Sequence, residues 1–262
     1  MEMDTFTIGR QRVHLRRWGS GTKVLVLHGW GSSSEPWEPL AQLLVKQGFE
    51  VIVPDLPGFG GSEPPKEVWG IDDYASFIQS FCTELRIAKC HVIAHSFGGR
   101  VALRLASTEA IGIDRLILCS SAGLRPSDLR SRLKRLVFYV LSKSGKAAAR
   151  LPLLTGFQPA ARRILYRGAG EHDYEKAPGV MKDVFIRVVS EDMAGDLPLV
   201  GVPTLLIWGE NDRLTPIRDG RCMHRLLSGS SLYVIPGTGH NAYRDLPEET
   251  AACILKFLKE GR

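Results

Sequence analysis

The sequence predicts an α/β fold: a mostly parallel β-sheet with helices on both faces, interrupted by a helical insertion. Three observations carry this. Short apolar runs alternate with segments of helical spacing from Lys23 to Cys119, and again from Thr204 to Lys259. Those runs are continuously apolar, the pattern of strands buried on both faces and hence of a parallel sheet covered by helices. Between Ala122 and Leu197 the alternation stops, and the sequence is helical in character, rich in arginine and lysine, with no convincing strand. The chain therefore divides into a core of residues 1–121 and 198–262 and a cap of residues 122–197. The proline-containing stretches around Pro126 and Pro198 to Pro203 read as its hinges.

The elements follow in order. Residues Thr5 to Trp18 alternate and turn at Gly9-Arg10-Gln11, as a β-hairpin does. Lys23 to Leu27 is a buried strand that ends in His28-Gly29-Trp30-Gly31, Pro36 to Lys46 has helical spacing, and Glu50 to Val53 is the next strand. A helix from Ile71 to Leu85, a strand from His91 to Ala94, a helix from Gly98 to Ser107 and a strand from Ile113 to Cys119 come next. After the insertion the pattern resumes with a strand Thr204 to Trp208, a helix Ile217 to Leu227, a strand Ser231 to Ile235 and a last helix Pro247 to Lys259.

Composition narrows the class. With 44% hydrophobic and 24% charged residues in 262, the chain has an ordinary globular balance and enough length for one large domain, which excludes a disordered or fibrous protein. The N-terminal Met1-Glu2-Met3-Asp4-Thr5 lacks the basic and then apolar layout of a secretory signal, and runs such as Leu136 to Leu141 are too short to span a bilayer. Cys82, Cys90, Cys119, Cys222 and Cys253 are scattered singly, without the spacing of a zinc site or redox dithiol. The expectation is a soluble, cytoplasmic protein with free thiols and no stable membrane insertion.

The chemistry centres on Ala94-His95-Ser96-Phe97-Gly98, which lies between the run His91-Val92-Ile93 and a helical segment. A serine on a sharp strand-to-helix turn projects its hydroxyl above the sheet, and small neighbours are required there because bulk would strike the adjoining strand and helix. Gly98 and Gly99 supply that smallness, and Ala94 stands in place of the usual first glycine of G-x-S-x-G. A serine hydroxyl also needs a base, and the base an orienting acid. Asp212, in Trp208-Gly209-Glu210-Asn211-Asp212-Arg213, and His240, in Gly237-Thr238-Gly239-His240-Asn241, each follow a strand. Open parallel sheets place their sites at that end of the strands. Glu210 and Asp219 are rivals for the acid role, and the Gly-x-x-Asp spacing favours Asp212. His28 reads as structural, and His95 as a strand-end residue beside the site.

Four motifs stand in order: His28-Gly29-Trp30-Gly31, Asp55-Leu56-Pro57-Gly58-Phe59-Gly60-Gly61-Ser62, the elbow at Ser96, and the Asp212 and His240 loops. On these the chain resembles the α/β-hydrolase superfamily along essentially its whole length, with likenesses to carboxylesterases, pimeloyl-acyl-carrier-protein methyl ester esterases and capped meta-cleavage-product hydrolases. The resemblance implies an eight-stranded sheet and a Ser96, Asp212, His240 triad. It also implies an oxyanion hole made by the backbone N–H groups of Trp30 and Phe97. The implied activity is hydrolysis of a carboxylic ester of small to medium acyl chain through an acyl-enzyme on Ser96. Carbon–carbon hydrolysis of meta-cleavage type is the alternative, and a ligand-sensing receptor with a slow triad is a reading of a different class. A serine at the elbow argues against epoxide hydrolases and haloalkane dehalogenases, which carry aspartate there. No metal-ligand spacing, dinucleotide fingerprint or phosphate loop is present, so no cofactor and no metal is expected.

Charge is unevenly placed. Between Arg125 and Arg167 eleven lysines and arginines face one acid, Asp128, a surplus of +10 against +6 for the whole chain. Three readings stay open: a solvated helical face, recognition of an acidic substrate or carrier, or docking on an anionic membrane surface. The catalytic motifs argue against nucleic acid as a partner. The implied partner is a small-molecule ester, and oligomeric state is left open.

Overall fold

The computed structural model describes residues 2–124 and 179–259, and the cap expected at 122–197 therefore lies largely outside the described residues. Eight strands form one sheet in the order β1-β2-β4-β3-β5-β6-β7-β8. They are β1 (Glu2–Ile8), β2 (Gln11–Trp18), β3 (Thr22–Leu27), β4 (Phe49–Pro54), β5 (Lys89–His95), β6 (Gly112–Cys119), β7 (Thr204–Gly209) and β8 (Ser231–Ile235). The β1–β2 hairpin and the β2–β4 pair are antiparallel, and every other pairing is parallel. The first strand starts at Glu2, earlier than the expected Thr5, and Gly9 turns the hairpin with φ +59°. The sequence conceals that start because the apolar alternation of Phe6 and Ile8 does not extend back through Asp4 and Glu2.

Seven α-helices are described: α1 (Glu38–Val45), α2 (Ile71–Glu84), α3 (Phe97–Ser107), α4 (Met181–Ser190), α5 (Ile217–Leu226), α6 (Ala242–Asp245) and α7 (Pro247–Lys259). Their ends follow local chemistry. The Gly70 N–H donates to the Asp73 carboxylate at the start of α2 (2.7 Å), and Asp72 and Asp73 sit where the helix dipole favours negative charge. In α7, Pro247 opens the helix, Glu248 and Glu249 follow, and Lys256 and Lys259 close it.

The central strands bury both faces, and alternate residues go to opposite cores. Leu25, Leu27, Val92, Ala94, Leu116 and Leu118 pack with α2, α3, α4 and α5 on one face. Val24, Val26, Val51, Val53, Ile93 and Ile117 pack with α1, α6 and α7 on the other. Each such side chain contributes about 1.5–3 kcal/mol when fully buried, which is why the period-2 split along the central strands dominates the fold. The parallel register aligns the strand ends: Leu27 lies opposite Ala94, His95 opposite Cys119, Cys119 opposite Ile207 and Gly209 opposite Ile235. The loops after β3, β5, β7 and β8 therefore meet at one edge of the sheet.

Among the described residues no helix is long and apolar enough to cross a membrane. All five cysteines are free; Cys82, Cys90 and Cys119 are buried, and burial pushes each of these thiols up to about 12.

Candidate active site

Ser96 joins β5 directly to α3 and holds φ +49° and ψ −113°, a conformation costly for any residue with a Cβ. The surroundings enforce it. The Ser96 N–H donates to the Cys119 carbonyl (3.2 Å), and the Ser96 carbonyl accepts from the N–H groups of Gly99 and Ala122 (3.0 Å each). The glycines are a packing necessity: a Cβ on Gly98 would stand 2.2 Å from the Leu27 carbonyl oxygen, and one on Gly99 2.0 Å from the Ser121 hydroxyl. Gly98→Ala presses on backbone that cannot swing away. It is expected to lower unfolding stability by about 3 kcal/mol, measurable by urea titration.

The acid and the histidine come together because their loops touch. Gly209, at the end of β7, approaches the next loop so closely that a Cβ would lie 2.0 Å from the Gly239 carbonyl oxygen. Asn211 N–H donates to the Thr238 carbonyl across the same gap (2.8 Å). This seats Asp212 so that its Oδ2 accepts from His240 Nδ1 at 2.8 Å, while Oδ1 accepts from the N–H groups of Leu214 (2.9 Å) and Thr215 (3.0 Å). Burial opposes ionisation of Asp212. The His240 bond and charge and the Thr215 donors outweigh it, and the carboxyl is held below the usual carboxylate range. Glu210 stands apart, exposed, accepting from the Gly237 N–H (3.0 Å), and Asp219 lies beside Arg218.

Thr215 is a site residue that the sequence reading missed. Its hydroxyl lies 2.9 Å from Asp212 Oδ2, 3.0 Å from the Ser120 carbonyl and 3.2 Å from His240 Nδ1. The available signal was the Asp212-x-x-Thr215 spacing, which suits a carboxylate accepting from the backbone and hydroxyl three residues on.

Two further histidines frame the site. His28 is fully buried, its Nδ1 donating to the Gly29 carbonyl (2.8 Å) and its Nε2 accepting from the Leu56 N–H (2.9 Å). It thus ties the loop after β3 to the Asp55 loop. Asp55 anchors that second loop by accepting from the Gly61 N–H and His14 Nδ1, and Gly60, at φ +54°, passes where a Cβ would strike its carboxylate. His95 is also buried. Its Nε2 donates to the His240 carbonyl (3.0 Å), and among the described residues its Nδ1 meets no hydrogen-bond partner.

Burial lowers both imidazoles, His95 to about 3, with the nearby His240 ring adding to the effect. In the unfolded chain these rings titrate near about 6.5. Between that value and their folded values the unfolded state binds more protons, so stability falls as pH falls. The expected slope is up to about 1.4 kcal/mol per pH unit for each histidine below pH ~6.5. Asp55 and Asp212, both held low, keep their contributions until the pH drops beneath about 4. Urea titrations from pH 7 to 4.5 test this, and His95→Gln is expected to flatten the slope by one proton.

A cavity of about 960 Å³ opens over the carboxyl ends of the strands. Ser96, His240, Trp30 and Phe97 all line it. Phe97 is the first residue of α3, so its N–H has no acceptor within the helix. Trp30 sits on the turn closed by Ser32 N–H to the Gly29 carbonyl (3.2 Å), and its ring packs edge-on against Phe59, Phe97 and Phe185 at 4.8–5.4 Å. Among the described residues no group of three or more His, Cys, Asp or Glu is arranged to hold a metal ion.

An eight-stranded sheet with a strained serine between strand and helix, and an Asp–His pair on the last two strand loops, defines a hydrolase-type α/β domain. Residues 24–253 match the alpha/beta hydrolase family, and the chain belongs to it. An uncharacterized protein of Mycobacterium tuberculosis is 28% identical over 274 residues, covering 96% of this chain and 80% of the relative. A pimeloyl-[acyl-carrier protein] methyl ester esterase of Nitrosomonas europaea is 26% identical, with 92% and 97% covered. The crystal structure of a bromoperoxidase from Bacillus anthracis superposes with a TM-score of 0.77 at 23% identity, covering 99% of this chain and all of that one (100%), a likeness of fold. The family and the relatives support hydrolase activity.

Proposed function

We propose that the protein is a serine hydrolase that cleaves carboxylic esters of small to medium acyl chain. The observation that carries the reading is the pairing of the 2.8 Å Asp212–His240 hydrogen bond with a positive-φ serine on the wall of the same cavity. In the proposed cycle Ser96 attacks the ester carbonyl while His240 takes its proton through Nε2 and passes it to the leaving alcohol. Asp212 keeps the other ring proton on Nδ1 and balances the imidazolium that forms. The oxyanion is held by the N–H groups of Trp30 and Phe97, each worth about 3 kcal/mol in the transition state. Water activated by His240 then releases the acid from the acyl-enzyme. The apolar part of the wall, including Phe185, Val188 and Leu214, suits the acyl chain.

The test is turnover of p-nitrophenyl esters of increasing acyl length, with rapid-mixing detection of a nitrophenolate burst and mapping of a fluorophosphonate adduct by peptide mass. A burst, steady turnover and an adduct on Ser96 are the expected results. An adduct on Ser96 without turnover of any ester sinks the ester reading in favour of carbon–carbon hydrolysis or ligand sensing. An adduct elsewhere, or none, removes Ser96 as nucleophile.

A further inference from the structure

The cavity wall has a charge that the ester mechanism does not use. Among the described residues Arg100, Arg213, Arg218 and Arg244 contribute to it, against one acid, Asp219. What holds these arginines differs. Arg100 is buried and donates to the Glu191 carbonyl (2.6 Å), and Arg218 lies beside Asp219 (3.8 Å). Arg213 follows Asp212 directly and is exposed, and among the described residues it makes no salt bridge. Arg244, four residues after His240, meets the side chain of its neighbour Asp245 at 3.3 Å, where both are about half exposed (54% and 47%). Such a pair is too well solvated to hold a guanidinium against a competing anion.

We infer that Arg213 and Arg244 form an anion-binding subsite of this cavity, taking a carboxylate or phosphate group carried by the substrate in addition to its scissile ester. The inference rests on the ester reading for the identity of the substrate. A guanidinium presents a planar fork of donors that matches two oxygens of either anion. A cleft lined by one sign of charge also focuses its field on an incoming ligand. Position adds specificity: Arg213 follows Asp212 on its loop, and Arg244 stands in the single-turn helix α6 that directly follows the His240 loop, so an anion bound by them is held beside the residues that carry the proposed chemistry. Apolar side chains of the same cavity, Phe185, Val188 and Leu214, suit the methylene chain that separates the two groups.

The experiment compares p-nitrophenyl hexanoate with mono-p-nitrophenyl adipate, which matches it in length and adds a carboxylate. The proteins are the wild type, Arg213→Gln/Arg244→Gln, and Arg221→Gln/Arg225→Gln, a control with equal charge loss at exposed positions outside the cavity wall. The expected result is a ratio of kcat/KM, adipate over hexanoate, that falls about tenfold or more in the first double variant and stays within about twofold in the control. A ratio that falls equally in both variants, or in neither, overturns the subsite. If the wild type turns over neither ester, the ester reading falls by itself, and the subsite is decided by calorimetry of adipate and inorganic phosphate with Ser96→Ala protein at fixed ionic strength. Binding of either that is lost on removing Arg213 and Arg244 upholds the subsite and tells which anion it prefers; no binding, or binding that persists, overturns it.

Discussion

Ser96→Ala is expected to lower kcat on any p-nitrophenyl ester that the wild type accepts by about 10⁶-fold, with KM little changed and the fluorophosphonate adduct gone. Without the hydroxyl no covalent intermediate forms, and the residue of catalysis is what the oxyanion donors and the bound geometry give to direct attack by water. The stability of Ser96→Ala should stay within about 0.5 kcal/mol of wild type, because alanine carries the same Cβ at the same φ of +49° and the backbone bonds to Cys119, Gly99 and Ala122 remain. Ser96→Gly separates the two roles of the residue. It is as inactive, yet it relieves a backbone strain of about 1–3 kcal/mol while paying glycine's unfolded-state entropy, and is expected to gain about 1 kcal/mol in urea titration. A glycine variant no more stable than wild type would show that the elbow stores no strain.

The elbow was legible because its requirements are local. Small residues at 98 and 99 are dictated by the carbonyl of Leu27 and the hydroxyl of Ser121, and no other residue types fit that turn. The central strands were legible for a related reason: burial on both faces leaves no polar alternation, so Val24 to Leu27 and Val92 to Ala94 announce a covered parallel sheet. Asp212 was preferred to Glu210 on spacing, and the physical basis of that spacing is Gly209, where only a missing Cβ lets the acid loop rest on the histidine loop. What escaped the sequence depends on contacts between distant segments. Thr215 joins the site through Ser120 and His240, far away in the chain, and His95 reaches the His240 carbonyl across 145 positions. The helix Ala242–Asp245 is a single turn, too short to display a period. The basic segment between Arg125 and Arg167 lies outside the described residues, and with it the expectations placed on the cap.

Asp212→Asn is expected to lower kcat by about 10⁴-fold while leaving the fold intact. The carboxylate accepts on both oxygens: Oδ1 takes the N–H groups of Leu214 and Thr215, and Oδ2 takes His240 Nδ1 and the Thr215 hydroxyl. An asparagine has one carbonyl oxygen, and the two backbone donors claim it. Its amide NH₂ then faces His240 Nδ1, which must give up its proton to accept. The ring proton moves to Nε2, on the side where the base is needed. The imidazole can no longer take the serine proton, and the negative charge that balanced the imidazolium is gone. The signature is a slowed fluorophosphonate reaction together with the fall in kcat, and with KM little changed. Glu210→Gln, two residues away on the same loop, removes a charge that accepts from the exposed Gly237 N–H, a bond the amide oxygen of glutamine can also accept, and kcat should stay within about twofold of wild type. If instead the Glu210 variant lost activity and the Asp212 variant kept it, the acid of the triad would be the wrong residue, and the 2.8 Å bond from His240 would be structural alone.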